Sequence, residues 1–123
     1  MQSKNHADTQ IHMRLIAAMV RYLMSQGYKV SADHIGYPNG KPPEFNKFIP
    51  DVFAEKGQEK IIIAAATSEL LKEVETRAEW TALSTNKEKI EFSVIVPESN
   101  FEQAKELAKK WNIKVKNFWK LKI

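Results

Sequence analysis

The stretch IPDVFAEKGQEKIIIAAATSEL, residues 49–70, decides the fold. Ile49 to Glu55 reads as a strand, Lys56-Gly57-Gln58-Glu59 as a hairpin turn, and Lys60 to Thr67 as the returning strand. The returning arm is apolar on both faces, which marks a strand inside a sheet covered on both sides. Upstream, Asp8 to Gln26 predicts a helix. At about 100° per residue, Ile11, Leu15, Ala18, Met19, Tyr22 and Leu23 share one broad apolar face, widened by Ile16 and Val20. A polar ridge of Gln10, Arg14 and Arg21 lies opposite, so the helix is expected to bury most of its girth against the sheet. Gly27 supplies its C-terminal stop. Tyr28 to Ile35 alternates as a strand, and a proline-rich loop from Gly36 to Lys47 leads back to the hairpin.

Downstream, Ser68 is expected to cap a helix running to about Thr85. Its main stripe is Leu70, Leu71, Val74, Ala78 and Ala82, with Trp80 and Leu83 falling off it. Ile90 to Val96 predicts a strand ended by Pro97. A third helix starts at Ser99 or Asn100, with a face of Phe101, Ala104, Leu107, Ala108 and Trp111. Ile113 to Trp119 reads as the last strand. The order α-β-β-β-α-β-α-β, with one hairpin and helical crossovers, predicts an α/β protein with a mixed sheet flanked by helices. Residues 1–123 are expected to form one domain.

Composition narrows the class. The 123 residues are 43% hydrophobic and 28% charged, ordinary values for a globular chain. No apolar run reaches the roughly 18 residues of a membrane span. The start, MQSKNHADTQ, lacks the apolar centre of a secretory signal. Without cysteine, disulfides, thiolate zinc sites and thiol catalysis are excluded, and a cytoplasmic protein is the expectation. Charge is uneven. The chain carries +4, but Lys105 to Ile123 holds seven lysines against Glu106, leaving the remainder slightly acidic. A basic end on a near-neutral body suits phosphate contacts, and it equally suits a solvated lysine-rich helix and edge strand.

Pro50-Asp51 opening one hairpin arm, the second arm after it, and the flanking helix-strand units together resemble the core of the PD-(D/E)xK nuclease superfamily. That superfamily includes restriction-endonuclease-like and Holliday-junction-resolvase-like proteins. The resemblance runs from about Asp8 to Trp119. It implies a restriction-endonuclease-like fold and metal-dependent cutting of DNA. In such sites, acids on the two hairpin arms hold Mg²⁺ or Mn²⁺ through oxygen. The metal orients water and stabilises charge on the phosphate under attack. A lysine two residues after the second acid shares its face. By this resemblance Asp51 fills the first slot, and the second and third slots fall at Ala64 and Ala66. Relatives would read something like IIVEVET where this chain reads IIIAAAT. Alanine can neither bind a metal nor move a proton, so the resemblance implies a DNA-binding protein that cuts poorly or not at all. Three accounts of the alanines stay open: natural loss, deliberate substitution that inactivates a nuclease, or slots that lie elsewhere while small residues let a helix pack closely.

Asp8 and His12, four residues apart, stack on the apolar side of the first helix. The resemblance makes Asp8 a metal ligand assisted by His12. The plainer reading makes Asp8 a helix cap and His12 a hydrogen-bonded histidine at the core edge. His34 adjoins the long loop, and His6, His12 and His34 have no zinc spacing. No glycine-rich phosphate loop or G-x-S-x-G motif is present. For DNA, duplex or branched, the candidate contacts are Lys41, Lys47, Arg77, Lys114, Lys116 and Lys120, with Tyr37, Phe45 and Phe48 in the loop. Lys114 and Lys116 are expected to act together from the last strand, with Lys120 beyond it. The alternative is a non-enzymatic partner-binding or assembly protein on the same scaffold, with Trp80 and Leu83 at a homodimer interface.

Overall fold

The first helix buries most of the face that its spacing predicts, with Tyr22 left 44% exposed. In the computed structural model, which describes residues 6–33 and 40–123 (His6 and Ala7 as backbone only), α1 spans His6–Ser25. Leu15, Ile16, Met19, Val20 and Leu23 are buried, and Gln10, Arg14 and Arg21 are exposed. Gly27 at φ 91° turns the chain, and the Tyr28 N–H bonds back to Leu23 O at 3.1 Å. His34, Tyr37 and the opening of the loop from Gly36 lie outside the described residues, as does the side chain of His6.

Five strands follow: β1 (Lys29–Ala32), β2 (Val52–Lys56), β3 (Glu59–Ala65), β4 (Glu91–Pro97) and β5 (Phe118–Leu121). They lie side by side in chain order, so the doubly apolar β3 is the central strand. Pairing is antiparallel across β1, β2 and β3 and parallel from β3 to β5, because helices α2 (Val74–Ser84) and α3 (Phe101–Lys110) carry the chain back between parallel neighbours. The protein is therefore α/β, with a mixed sheet flanked by helices. Period-two alternation sorts the core into two layers. Val52, Ala54, Ile63, Ala65 and Ile95 pack with α1, whereas Phe53, Ile62, Ala64, Ala66, Phe92 and Val94 pack with residues of α2 and α3. The third helix uses its expected face: Ala104 and Ala108 are buried, and Phe101, Leu107 and Trp111 lie against the same layer. Among the described residues no helix is long and apolar enough to cross a membrane.

Several expectations fail: Asp8 lies inside the first turn of α1 and does not cap it, β2 starts at Val52, and its ladder runs through Lys56 and Glu59 to leave Gly57-Gln58 as the turn. The segment after Ser68 is not one helix. A 3-10 turn over Leu70–Lys72 gives way to an extended Glu73 (φ −89°, ψ 139°) before α2 begins. Thr67, not Ser68, serves its start, with Thr67 Oγ1 accepting from Leu70 N at 3.2 Å. The break resets the helical phase, so Val74 is 87% exposed while Thr76, Trp80 and Leu83 are buried. Trp80 and Leu83, at 0% exposure, cannot form a subunit interface.

The last strand is shorter and later than expected. Asn112 at φ 58° turns the chain out of α3, and the Ile113 N–H bonds to Ala108 O at 2.9 Å. Residues 113–117 run beside β4 on separate bonds, among them Lys116 N to Phe92 O at 2.7 Å, before the ladder starts at Phe118. Lys114 and Lys116 thus lie outside the strand, and Lys120 lies inside it.

The hairpin and the end of α1 are clasped by Tyr28, whose hydroxyl donates to Glu59 Oε1 at 3.1 Å while Lys56 Nζ lies 4.9 Å above its ring. Burial, and then the Glu59 carboxylate, raise the Tyr28 pKa above the ordinary 10.0. A raised folded-state value means the contribution is complete below about pH 10 and is lost as pH rises through the folded value. Stability measured by urea between pH 8 and 11 should therefore fall less for Tyr28→Phe than for the parent. Identical pH slopes would show that the clasp contributes nothing.

Candidate functional site

Where β2 begins, proline removes one main-chain donor and Asp51 takes over an acceptor's role. Val52 pairs with Ile63, so continuing that register places Pro50 across from Ala65 and Asp51 across from Ala64. The Ala65 N–H donates instead to Asp51 Oδ2 at 2.7 Å, a short charge-assisted bond. His12 comes in from α1. Its Nε2–H donates to Ala65 O at 3.1 Å and lies 3.4 Å from Asp51 Oδ1. The carbonyl can only accept, so this bond requires the proton on Nε2. The Asp51 and His12 residues are 6% exposed each. Together they join the start of β2, the end of β3 and the first turns of α1.

One turn before His12, Asp8 is 5% exposed and lines a cleft of about 340 Å³ with Thr67, Ser68, Glu69 and Asn100. This cleft opens beyond Ala65 and at Pro97, where the parallel strands β3 and β4 end. Open α/β sheets bind ligands at that end. His12 and Asp51 thus meet directly, with Asp8 one helical turn away on the cleft, and His12 is the hydrogen-bonded core-edge histidine of the plainer reading.

The alanine slots are placed less favourably. Ala64 and Ala66, each 1% exposed, pack in the layer of Trp80 and Leu71, and only Ala65 faces α1. The Asp51 carboxylate reaches toward His12 on the α1 side. Mg²⁺ requires several oxygen donors. Both Asp51 oxygens are engaged by protein partners, and the slots at 64 and 66 offer no donor. Among the described residues, no group of three or more His, Asp or Glu is arranged to hold a metal. The residues present do not fit a Mg²⁺ or Mn²⁺ centre.

The basic candidates divide. Lys41 borders a small depression over β1 and β2 with Phe53 and Glu55. Arg77 is exposed on α2 in a shallow depression beside Thr85 and Asn46, and Lys47, next to Asn46 in sequence, is exposed too. Lys114 and Lys116 line a cleft at the opposite end of β4 from Asp51, and Lys120 Nζ lies 4.6 Å over the Phe101 ring. These residues do not make one surface with Asp51. Sequence reasoning also missed Asn46, whose amide donates to Ala82 O at 2.7 Å and to Thr85 O at 3.3 Å, tying the long loop to the end of α2. Its only signal was an asparagine in a loop, here at φ 51°.

Compared with protein-family models, curated proteins and solved structures, the chain matches none.

Proposed function

We propose that this chain is a DNA-binding α/β domain related to metal-dependent endonucleases and junction resolvases, with a restriction-endonuclease-like core whose catalytic set is depleted. The observation that carries the reading is the position of Asp51. It stands at the mouth of a β-hairpin, across from Ala64, where Asp8 and His12 of the first helix arrive at the carboxyl ends of parallel strands. A competent relative would place its second acid at 64. This chain is then left with DNA binding through its lysine-rich C-terminal part, without hydrolysis.

The second reading, a non-enzymatic assembly protein, is favoured by the packing of Ala64 and Ala66 against the α2 layer, where small side chains serve the core. Its interface must lie away from Trp80 and Leu83.

Restoring the slots separates the two. Ala64→Glu, alone and with Ala66→Glu or Ala66→Lys, buries a carboxylate in an apolar layer and should destabilise the metal-free protein by a few kcal/mol, about 2–5. If the slots are a metal site, Mg²⁺ or Mn²⁺ should recover about 2–3 kcal/mol at a hundredfold excess over Kd, read as a rise in Tm absent from the parent. Revertants that gain nothing from metal would show that the slots are packing positions and would favour the assembly reading.

A further inference from the structure

A second cleft, of about 380 Å³, lies at the amino end of β4 and is lined by Lys89, Lys114 and Lys116, with Glu91 the one acid among its walls. We propose that this cleft is a phosphate-binding site, taking phosphate esters either free or as successive groups of a nucleic-acid backbone. It deepens the nucleic-acid reading, and only the choice of backbone over free ester rests on that reading. Sequence analysis gave Lys89 no role.

Both walls are held from below. Asn86, 6% exposed, is a staple: its Nδ2 donates to Leu83 O at 2.8 Å and Ile90 O at 2.9 Å, and its Oδ1 accepts from Ile90 N at 2.9 Å. The Lys89 N–H bonds to Asn86 O at 3.1 Å. This closed turn holds Lys89 at φ 58°, a conformation side-chain-bearing residues seldom adopt and one that collects at functional sites. The opposite wall is the 113–117 segment, fixed by Lys116 N to Phe92 O at 2.7 Å and Asn117 N to the Ser93 hydroxyl at 3.2 Å. Two anchored backbones therefore present three cations to one cleft.

The balance of charge favours an anion. Lys116 Nζ lies 3.5 Å from Glu91, but both side chains are more than half exposed, and such pairs hold weakly. An arriving phosphate can compete for Lys116 without leaving a buried charge behind. Thr85 borders both this cleft and the depression along α2 that carries Arg77. Asp51 is level with Ala64 and Ala65, which pair with Val94 and Ile95, so the cleft at Glu91 lies about 10–13 Å away along the strands and two strands across the sheet. A backbone seated on the lysines therefore need not touch Asp51.

The test uses the full chain, inorganic pyrophosphate and a duplex oligonucleotide. Lys89→Gln, Lys114→Gln and Lys116→Gln are combined in one variant, and Lys105→Gln, Lys109→Gln and Lys110→Gln in a control with the same change of net charge. All six lysines are exposed, so both variants should keep the parental circular dichroism. Calorimetry at low salt should show pyrophosphate binding weakened about tenfold or more in the cleft variant and less than about twofold in the control. If nucleic acid is the source, duplex affinity falls with it and the slope of log affinity against log salt flattens by about 2–3. If only pyrophosphate binding falls, the site takes free phosphate esters and the DNA reading loses this surface. Absent pyrophosphate binding in the parent, or equal losses in the two variants, overturns the site. The metal response of the Ala64→Glu variants is read without any of these lysines, which separates this outcome from any failure at the hairpin.

Discussion

Trp80→Ala is expected to cost about 3–5 kcal/mol, whereas Val74→Ala on the same helix should change stability by less than about 0.5 kcal/mol. Trp80 is fully buried and sits edge-on to two rings, Phe92 at 6.2 Å and 61° and Trp111 at 5.6 Å and 74°. Those geometries are the favourable ones for aromatic quadrupoles and add to the area buried. The three rings tie α2, β4 and the end of α3 into one layer, so truncation opens a cavity that no single element can close. Val74 projects into solvent and loses almost no contact. Urea denaturation of both variants reads the difference directly. Near-equal effects would mean that α2 docks through Val74, Ala78 and Ala82 after all.

That contrast also shows why the second helix was misread. Thr67 to Ser84 contains enough apolar residues for a continuous stripe, and summing 100° steps from Leu70 puts Val74, Ala78 and Ala82 upon it. The summation assumes one uninterrupted helix. Extended Glu73 breaks it, and the Thr76 hydroxyl donates to Leu70 O across the break, so the phase restarts at Val74. Nothing local announces this, since glutamate is a good helix former. α1 and α3 contain no such break, and their core-facing sides were legible apart from Tyr22, which is exposed. β3 was legible as the centre of the sheet for a simpler reason: only a strand covered on both faces can leave Ile61 to Ala66 without a polar residue.

The last strand illustrates the converse. Ile113 and Val115 are partly buried while Lys114 and Lys116 are exposed, so the period-two pattern is real. It arises because the segment lies along the sheet, and ladder pairing begins only at Phe118. Alternation reports which side faces the core and says little about hydrogen bonding. At the site, the spacing of Asp8 and His12 foretold that they share a buried face. The meeting of His12 with Asp51 depends on how α1 crosses the sheet, a tertiary fact outside any local pattern. The lysine cleft was invisible for the same reason, because it joins residues 84–92 to residues 114–116 through a turn organised by Asn86.

Asp51→Ala is expected to destabilise the protein by about 3–5 kcal/mol, with Asp51→Asn losing distinctly less. Alanine leaves the buried Ala65 N–H without its acceptor and removes the carboxylate beside His12. Asparagine keeps one oxygen able to accept from Ala65 N, and its cost reflects the lost charge and the altered His12 contact. A double-mutant cycle apportions the pair. Asp51→Ala, His12→Ala and the double variant should give a coupling of about 0.5–3 kcal/mol, since both side chains meet at Ala65. His12→Ala alone also frees the Ala65 carbonyl, which is the smaller loss because a carbonyl tolerates under-satisfaction better than a buried N–H does. Such a result would identify Asp51 as the residue that closes the open end of the β2–β3 ladder. That structural duty alone accounts for a buried aspartate at position 51. An Asp51→Ala variant within about 1 kcal/mol of the parent would remove the structural duty and leave the carboxylate to be explained by a ligand alone.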